Sequence, residues 1–151
     1  LPGFDCIIFA NLFGAKHYFG IMLQAFKIGD KISTTHIVTG NDIAQFQGNA
    51  VHEVYATFSI IREAEWAGRQ FVLKMKEEGE EGIGTSAHVV HKAPAFVGEE
   101  VIFESTLEEV NGNNVICSFI ATVGSRIVAT GSTGQKILSR EKLNKHFDSF
   151  R

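Results

Sequence analysis

Glutamate and histidine can take up and give back protons and a threonine hydroxyl can donate or accept a hydrogen bond, and one stretch of this chain carries all three in close succession: Thr57, Glu65, His88 and His91. If a helix begins near Thr57, then Thr57, Ile61 and Glu65 stack at i, i+4 and i+8 along one side of it. Glu65 then falls at the margin of an apolar stripe whose middle is marked by Ala64 and Phe71. A carboxylate there is either half-buried against a sheet or at an interface, where it suits a base, or paired with Arg62, Arg69 or a lysine of a partner chain. Thr57 has a similar choice, because a threonine hydroxyl at a helix start can cap an unpaired backbone N–H of the first turn. Pattern alone favours the structural role for both.

His88 and His91 lie in a strand-like run. Residues three apart in a strand point to opposite faces, and no third ligand is in reach, so no metal site is expected. His91 is followed by Lys92-Ala93-Pro94. Proline cannot donate to a strand ladder, so the strand should break or bulge there and re-aim its last side chains. The run Gly82-Ile83-Gly84-Thr85-Ser86-Ala87 resembles a dinucleotide fingerprint on paper, but it leaves a helix and enters a strand, the reverse of the required order. Gly84 reads better as a place where backbone approaches another group and an N–H is free to bind an oxyanion. Serine-hydrolase and phosphate-loop motifs are absent.

The elements that must position these residues follow from periodicity. Lys31 to Val38 is rich in β-branched residues and reads as a strand ending in the turn chemistry of Thr39 to Asp42. A polar loop containing Gln45, Gln47, Gly48 and Asn49 comes next. Apolar residues at Ile60, Ile61, Ala64, Ala67, Gly68, Phe71, Val72 and Met75 then describe one face of a helix of about five turns. The charged run Lys74 to Glu81, followed by Gly82, should end it. Four strands follow, Ile83 to His91, Val101 to Val110, Val115 to Val123 and Arg126 to Leu138, the middle two joined by the hairpin signal Asn111-Gly112-Asn113-Asn114. Glu141 to Arg151 reads as a charged surface tail or short helix. Strand, long helix and four strands make an α+β domain in which one antiparallel sheet buries one helix. That arrangement leaves one sheet face and at least one edge uncovered, so a homo-oligomer is expected.

Composition sets the bounds. With 151 residues, 44% of them hydrophobic, the chain supports one cored domain. Fourteen Lys and Arg against 17 Asp and Glu give a charge of −3, which provides no footprint for a nucleic-acid backbone. Two cysteines make neither a disulfide framework nor a four-thiolate zinc site, and a reducing, cytoplasmic setting fits. Thirteen residues are Phe, and Phe4, Phe9, Phe13, Phe19 and Phe26 crowd the front end. That segment lacks the basic start of a secretory signal, and Lys16, His17, Asn11 and Gln24 interrupt it as a membrane span. Residues 1–25 are therefore expected to be an extension of unknown role, of which the first 21 residues are dispensable if Met22 is an internal start. Residues 26–138 are the domain, and residues 139–151 the tail.

Taken together, Val54-Tyr55-Ala56-Thr57 leading into a helix with Glu65, then Ile83-Gly84-Thr85, then Val89-Val90-His91-Lys92-Ala93-Pro94-Ala95-Phe96-Val97-Gly98, resemble the hot-dog fold thioesterases, most closely the fluoroacetyl-CoA thioesterase-like group. The resemblance covers about Phe26 to Leu138. It implies a sheet wrapped around one central helix and hydrolysis of a short or small acyl-CoA to the free acid and CoA. It implies no cofactor beyond the coenzyme A of the substrate, and a homodimer, with tetramers left open, whose sites lie at the subunit interface. It also implies that Thr57, Glu65 and His91 are catalytic and that the amide of Gly84 helps hold the thioester oxygen. Lys136 falls where the group has an Arg facing the substrate, and a flexible ammonium does not replace a planar guanidinium. Two other readings stand beside it. Gly40-Asn41-Asp42-Ile43-Ala44-Gln45-Phe46 bears a faint likeness to hot-dog enoyl-CoA hydratases or dehydratases, without their D-x-N-P-x-H stretch. A non-catalytic acyl-CoA-binding protein would keep the fold and tolerate loss of Glu65 and His91.

Overall fold

Alternation of apolar and polar residues builds the sheet in this computed structural model, which describes residues 26–151. The strands are β1 (Lys31–Ile37), β2 (Ile43–Phe46), β3 (Asn49–Tyr55), β4 (Glu80–His91), β5 (Glu100–Asn111), β6 (Asn114–Val123) and β7 (Arg126–Ser139). Helix α1 (Thr57–Met75) lies between β3 and β4, and α2 (Arg140–Asp148) follows β7. Five strands form one antiparallel sheet in the order β1-β5-β6-β7-β4. Val101, Phe103, Ser105 and Leu107 alternate inward along β5 and meet the buried stripe of α1, Ile60, Ala64, Ala67, Phe71, Val72 and Met75. The far face of the sheet keeps Ile102, Ile120 and Ile127 exposed. This is the expected sheet wrapped on a single helix, with β1 and β4 as its edges. Among the described residues no helix is long and apolar enough to cross a membrane.

Three expectations need correction. The polar loop after β1 is a second sheet, the β2–β3 hairpin. Its turn uses Gln47 and Gly48, both at positive φ (52° and 80°), which is the backbone of a type I′ turn written without the usual Asn-Gly signal. Helix α1 stops at Met75, and the chain turns at Gly79 (φ 82°), so Glu80 and Glu81 open β4 instead of closing the helix. Phe26, grouped by composition with the front end, packs edge-on against Phe71 with ring centroids 4.9 Å apart and belongs to the core. The expected extension, residues 1–25, lies outside the described residues. Of the two alternatives for the C-terminus the structure has the helix, with the Ser139 hydroxyl accepting from the Lys142 amide at 3.2 Å.

Candidate active site

The start of α1 is held from two sides. Asp42 offers its main-chain carbonyl to the Ala56 amide at 2.8 Å, and Ala95 accepts from the Tyr55 amide at 2.8 Å. Ala56 is the cap residue and makes no side-chain capping bond. Thr57 is therefore not the N-cap, and its hydroxyl is free for other use. It meets His91 Nε2 at 2.8 Å. His91 is the last residue of β4, where the Lys92 and Ala93 amides both turn to the carbonyl of Val128 (2.8 and 3.2 Å), so the ladder ends ahead of Pro94 as the sequence implies. Thr57 and His91 line a pocket of about 390 Å³, together with His52, Val54, Ala56 and Pro94. His52 had no signal in the sequence, because it reaches the pocket only through the unforeseen hairpin. His88 sits opposite Ser132, in the regular part of the β4–β7 ladder three residues before His91, and lines no part of this pocket. Among the described residues no three His, Cys, Asp or Glu side chains come together as a metal ion would need.

The second half of the site joins α1 to the middle of β4. Glu65 is half-buried, and the two arginines that would neutralise it are engaged elsewhere: Arg62 with Asp42 and Glu63, Arg69 with Glu81. Its carboxylate rests over Gly84. A Cβ built on Gly84 would lie 2.2 Å from Glu65 Oε1 and 3.3 Å from Cδ, so the carboxylate occupies the space any side chain would take. The β4–β7 register slips by a residue directly after Gly84. Opposite Gly84 stands Gln135, 3% exposed, whose amide donates to the Glu65 carbonyl at 3.2 Å. Lys136 is the neighbour of Gln135 and pairs with Ile83. Strand pleating turns it to the opposite face of the sheet, so the structure does not bring Lys136 to the other four residues, and Gln135 takes the place facing α1.

Within one chain the candidates thus form two pairs, Thr57 with His91 and Glu65 with Gly84, separated along the helix by about 12 Å at 1.5 Å per residue. Beneath the first pair lies a fixed charge. Asp42 is 2% exposed, and its carboxylate accepts from His36 Nε2 (2.9 Å), the Thr39 amide (2.9 Å), the Thr39 hydroxyl (2.7 Å) and Arg62 (2.7 Å). Burial opposes ionisation there, but the bonds from Thr39, His36 and Arg62 outweigh it and hold the carboxyl well below the usual carboxylate range. Burial likewise pushes the Tyr55 phenol up, so the ring that stacks on His36 stays neutral.

One helix wrapped by one antiparallel sheet is the hot-dog arrangement. The family described as fluoroacetyl-CoA-specific thioesterase matches residues 38–141, more than half of the chain, and the chain belongs to that family. No curated protein matches it. Among solved structures, a Thermus thermophilus protein described as a thioesterase superfamily member is 32% identical, with 82% of this chain and 92% of that chain covered and a TM-score of 0.79. A hot-dog-like protein from Thermanaerovibrio acidaminovorans is 24% identical, with 85% and 95% covered and a TM-score of 0.78. A variant of the fluoroacetyl-CoA-specific thioesterase FlK, in complex with fluoroacetate and CoA, is 22% identical, with 78% and 99% covered and a TM-score of 0.73. The last two likenesses are likenesses of fold.

Proposed function

We propose that the protein hydrolyses short or small acyl-CoA thioesters to the free acid and CoA, with Thr57, Glu65, His91 and Gly84 as its working residues and no cofactor beyond the coenzyme A of the substrate. The observation that carries this reading is the Glu65 carboxylate seated over Gly84, free of both neighbouring arginines. Glu65 deprotonates the water that attacks the thioester carbonyl, or attacks the carbonyl itself to form a mixed anhydride that water then hydrolyses to the free acid, restoring the carboxylate. The Gly84 amide stabilises the oxyanion that develops, an effect worth about 10²- to 10³-fold per donor in comparable sites. Collapse of the tetrahedral species breaks the C–S bond, and the proton that CoA thiolate requires passes through His91, which Thr57 orients.

The working unit in this reading is a homodimer joined at β4. That strand is a 12-residue edge with exposed residues from Gly84 to His88, a length of unpaired ladder that soluble proteins seldom leave open. Antiparallel pairing of two copies about an axis between Ala87 and His88 sets Gly84 opposite His91 of the partner subunit. The two half-sites, apart within one chain, then meet across the interface. A reducing compartment, the cytoplasm, suits the buried Cys117, whose thiol burial pushes up to about 11.

The test is release of free thiol from acyl-CoA esters of increasing chain length, with Glu65→Ala and His91→Ala as partners to the wild type. Turnover is expected for small acyl groups, with kcat lowered about 10²-fold or more in each variant and melting unchanged. Wild-type turnover no faster than buffer across the panel would overturn the assignment. Hydration of crotonyl-CoA would move it to a hydratase, and saturable binding without turnover to an acyl-CoA-binding protein. A monomeric mass in solution at full activity would remove the dimer.

A further inference from the structure

Gln135 has a place in the fold that packing does not explain. It is buried and stands opposite Gly84, and its Nε2 donates to the main-chain carbonyl of Glu65 at 3.2 Å. In a regular helix that carbonyl already closes a turn with the amide four residues on, so Gln135 supplies it with a second donor. The other end of the same side chain, Oε1, is buried with no hydrogen-bond partner. A methionine or leucine would fill the space without burying an unpaired oxygen, so a position chosen for packing alone would not carry an amide.

Helix α1 is tied to β4 by the Thr57–His91 bond and by Arg69, which donates to the Gly82 carbonyl at 3.2 Å and to Glu81 at 2.7 Å, whereas its other contacts with β5, β6 and β7 are apolar and non-directional. The Glu65 turn is different. Within one turn of each other, Gly68 brings the helix close enough to β7 that a Cβ there would fall 2.7 Å from the Thr133 hydroxyl, and Gln135 binds the Glu65 carbonyl. We propose that Gln135 is a positioning residue for Glu65: Gly84 leaves room for the carboxylate, and Gln135 holds the backbone from which that carboxylate projects, so that the two form a seat with two fixed points. The claim rests on the reading of Glu65 as the reacting carboxylate. Its chemical content is directional. The amide sets where the attacking oxygen stands, and it does not itself touch the thioester.

The discriminating variant is Gln135→Met, which keeps size, removes the donor and removes the unpaired oxygen. A positioning role predicts opposite responses of stability and rate. Melting temperature stays level or rises. At the same time kcat for the best acyl-CoA falls about tenfold to 10²-fold, the scale of a displacement near 1 Å at a reacting group, with KM within about twofold. Gln135→Leu repeats the measurement with a side chain of different shape. In the Glu65→Ala background, Gln135→Met should cause no further loss, because the group it positions is gone. The proposal is overturned if kcat stays within about twofold of wild type, if only KM changes, or if melting temperature falls in step with kcat, which is the mark of a structural residue. If Glu65→Ala itself keeps full turnover, the reading of Glu65 falls and takes this proposal with it. If Glu65→Ala is inactive while Gln135→Met is fully active, the positioning role alone falls.

Discussion

Adding one methyl group at Gly84 tests the geometry of the site without touching any functional group. The Cβ of Gly84→Ala would stand 2.2 Å from Glu65 Oε1, whereas ordinary contact begins at 3.4 Å, so the carboxylate oxygen must retreat by about 1.2 Å. Nothing else resists the methyl, since the three nearest atoms all belong to the Glu65 carboxylate. Gly84 also lies outside the positive-φ region that penalises alanine. The end of a flexible side chain moves cheaply, so folding stability should change by no more than about 0.5 kcal/mol, or roughly 2 °C in melting temperature for a chain of this size. Catalysis should respond far more. A displacement near 1 Å at a reacting group is worth about 10²-fold in rate, close to 2.7 kcal/mol of barrier. Thiol release under saturating acyl-CoA measures the rate, and thermal unfolding the stability. The reasoning is refuted if Gly84→Ala keeps kcat within about threefold of wild type. It is also refuted if the loss of rate is matched by a loss of several degrees in melting temperature, since the backbone and not the carboxylate would then have moved.

Thr57→Val removes the hydroxyl bonded to His91 and keeps the shape of the side chain. Because Ala56, not Thr57, is the cap residue, stability should hold within about 0.5 kcal/mol while kcat drops about tenfold to 10²-fold, and unchanged kinetics would deny Thr57 any role beyond packing. Asp42→Asn should cost about 2 kcal/mol at pH 7, since it breaks a buried charged network around His36, Thr39 and Arg62. The folded-state pKa of Asp42 is depressed, so its contribution is complete above the unfolded value of about 4 and fades as pH falls toward the folded value. Urea midpoints of wild type and variant should therefore converge between pH 5 and strongly acidic conditions; a gap that stays constant would contradict the assignment.

Much of the architecture was legible because it depends on periodicity. The stripe from Ile60 to Met75 must face a core whatever surrounds it, and the alternation of Val101, Phe103 and Leu107 must lie on the face that meets it. The hairpin β2–β3 was not legible. Its strands are short, bulged and mostly exposed, so they carry no alternation, and Gln47 adopts positive φ without the residue type that usually announces it. His52 was lost with it. The site residues on α1 and β4 were found by resemblance to a family, since composition and spacing alone favoured a capping threonine and a solvated glutamate.

What the sequence determined by itself is the α+β class, the helix that carries Thr57 and Glu65, and the strand that carries Gly84 and His91, because each follows from contacts local along the chain. Only the tertiary structure decided which of these meet. Thr57 reaches His91 across 34 residues, the Glu65 carboxylate fills the space above Gly84, and Gln135 is chosen over Lys136 by strand register. The physical reason is that a pleated strand turns adjacent residues to opposite faces. One step of register decides whether a side chain belongs to the site or to solvent, and that step is set by pairing between segments far apart in the chain.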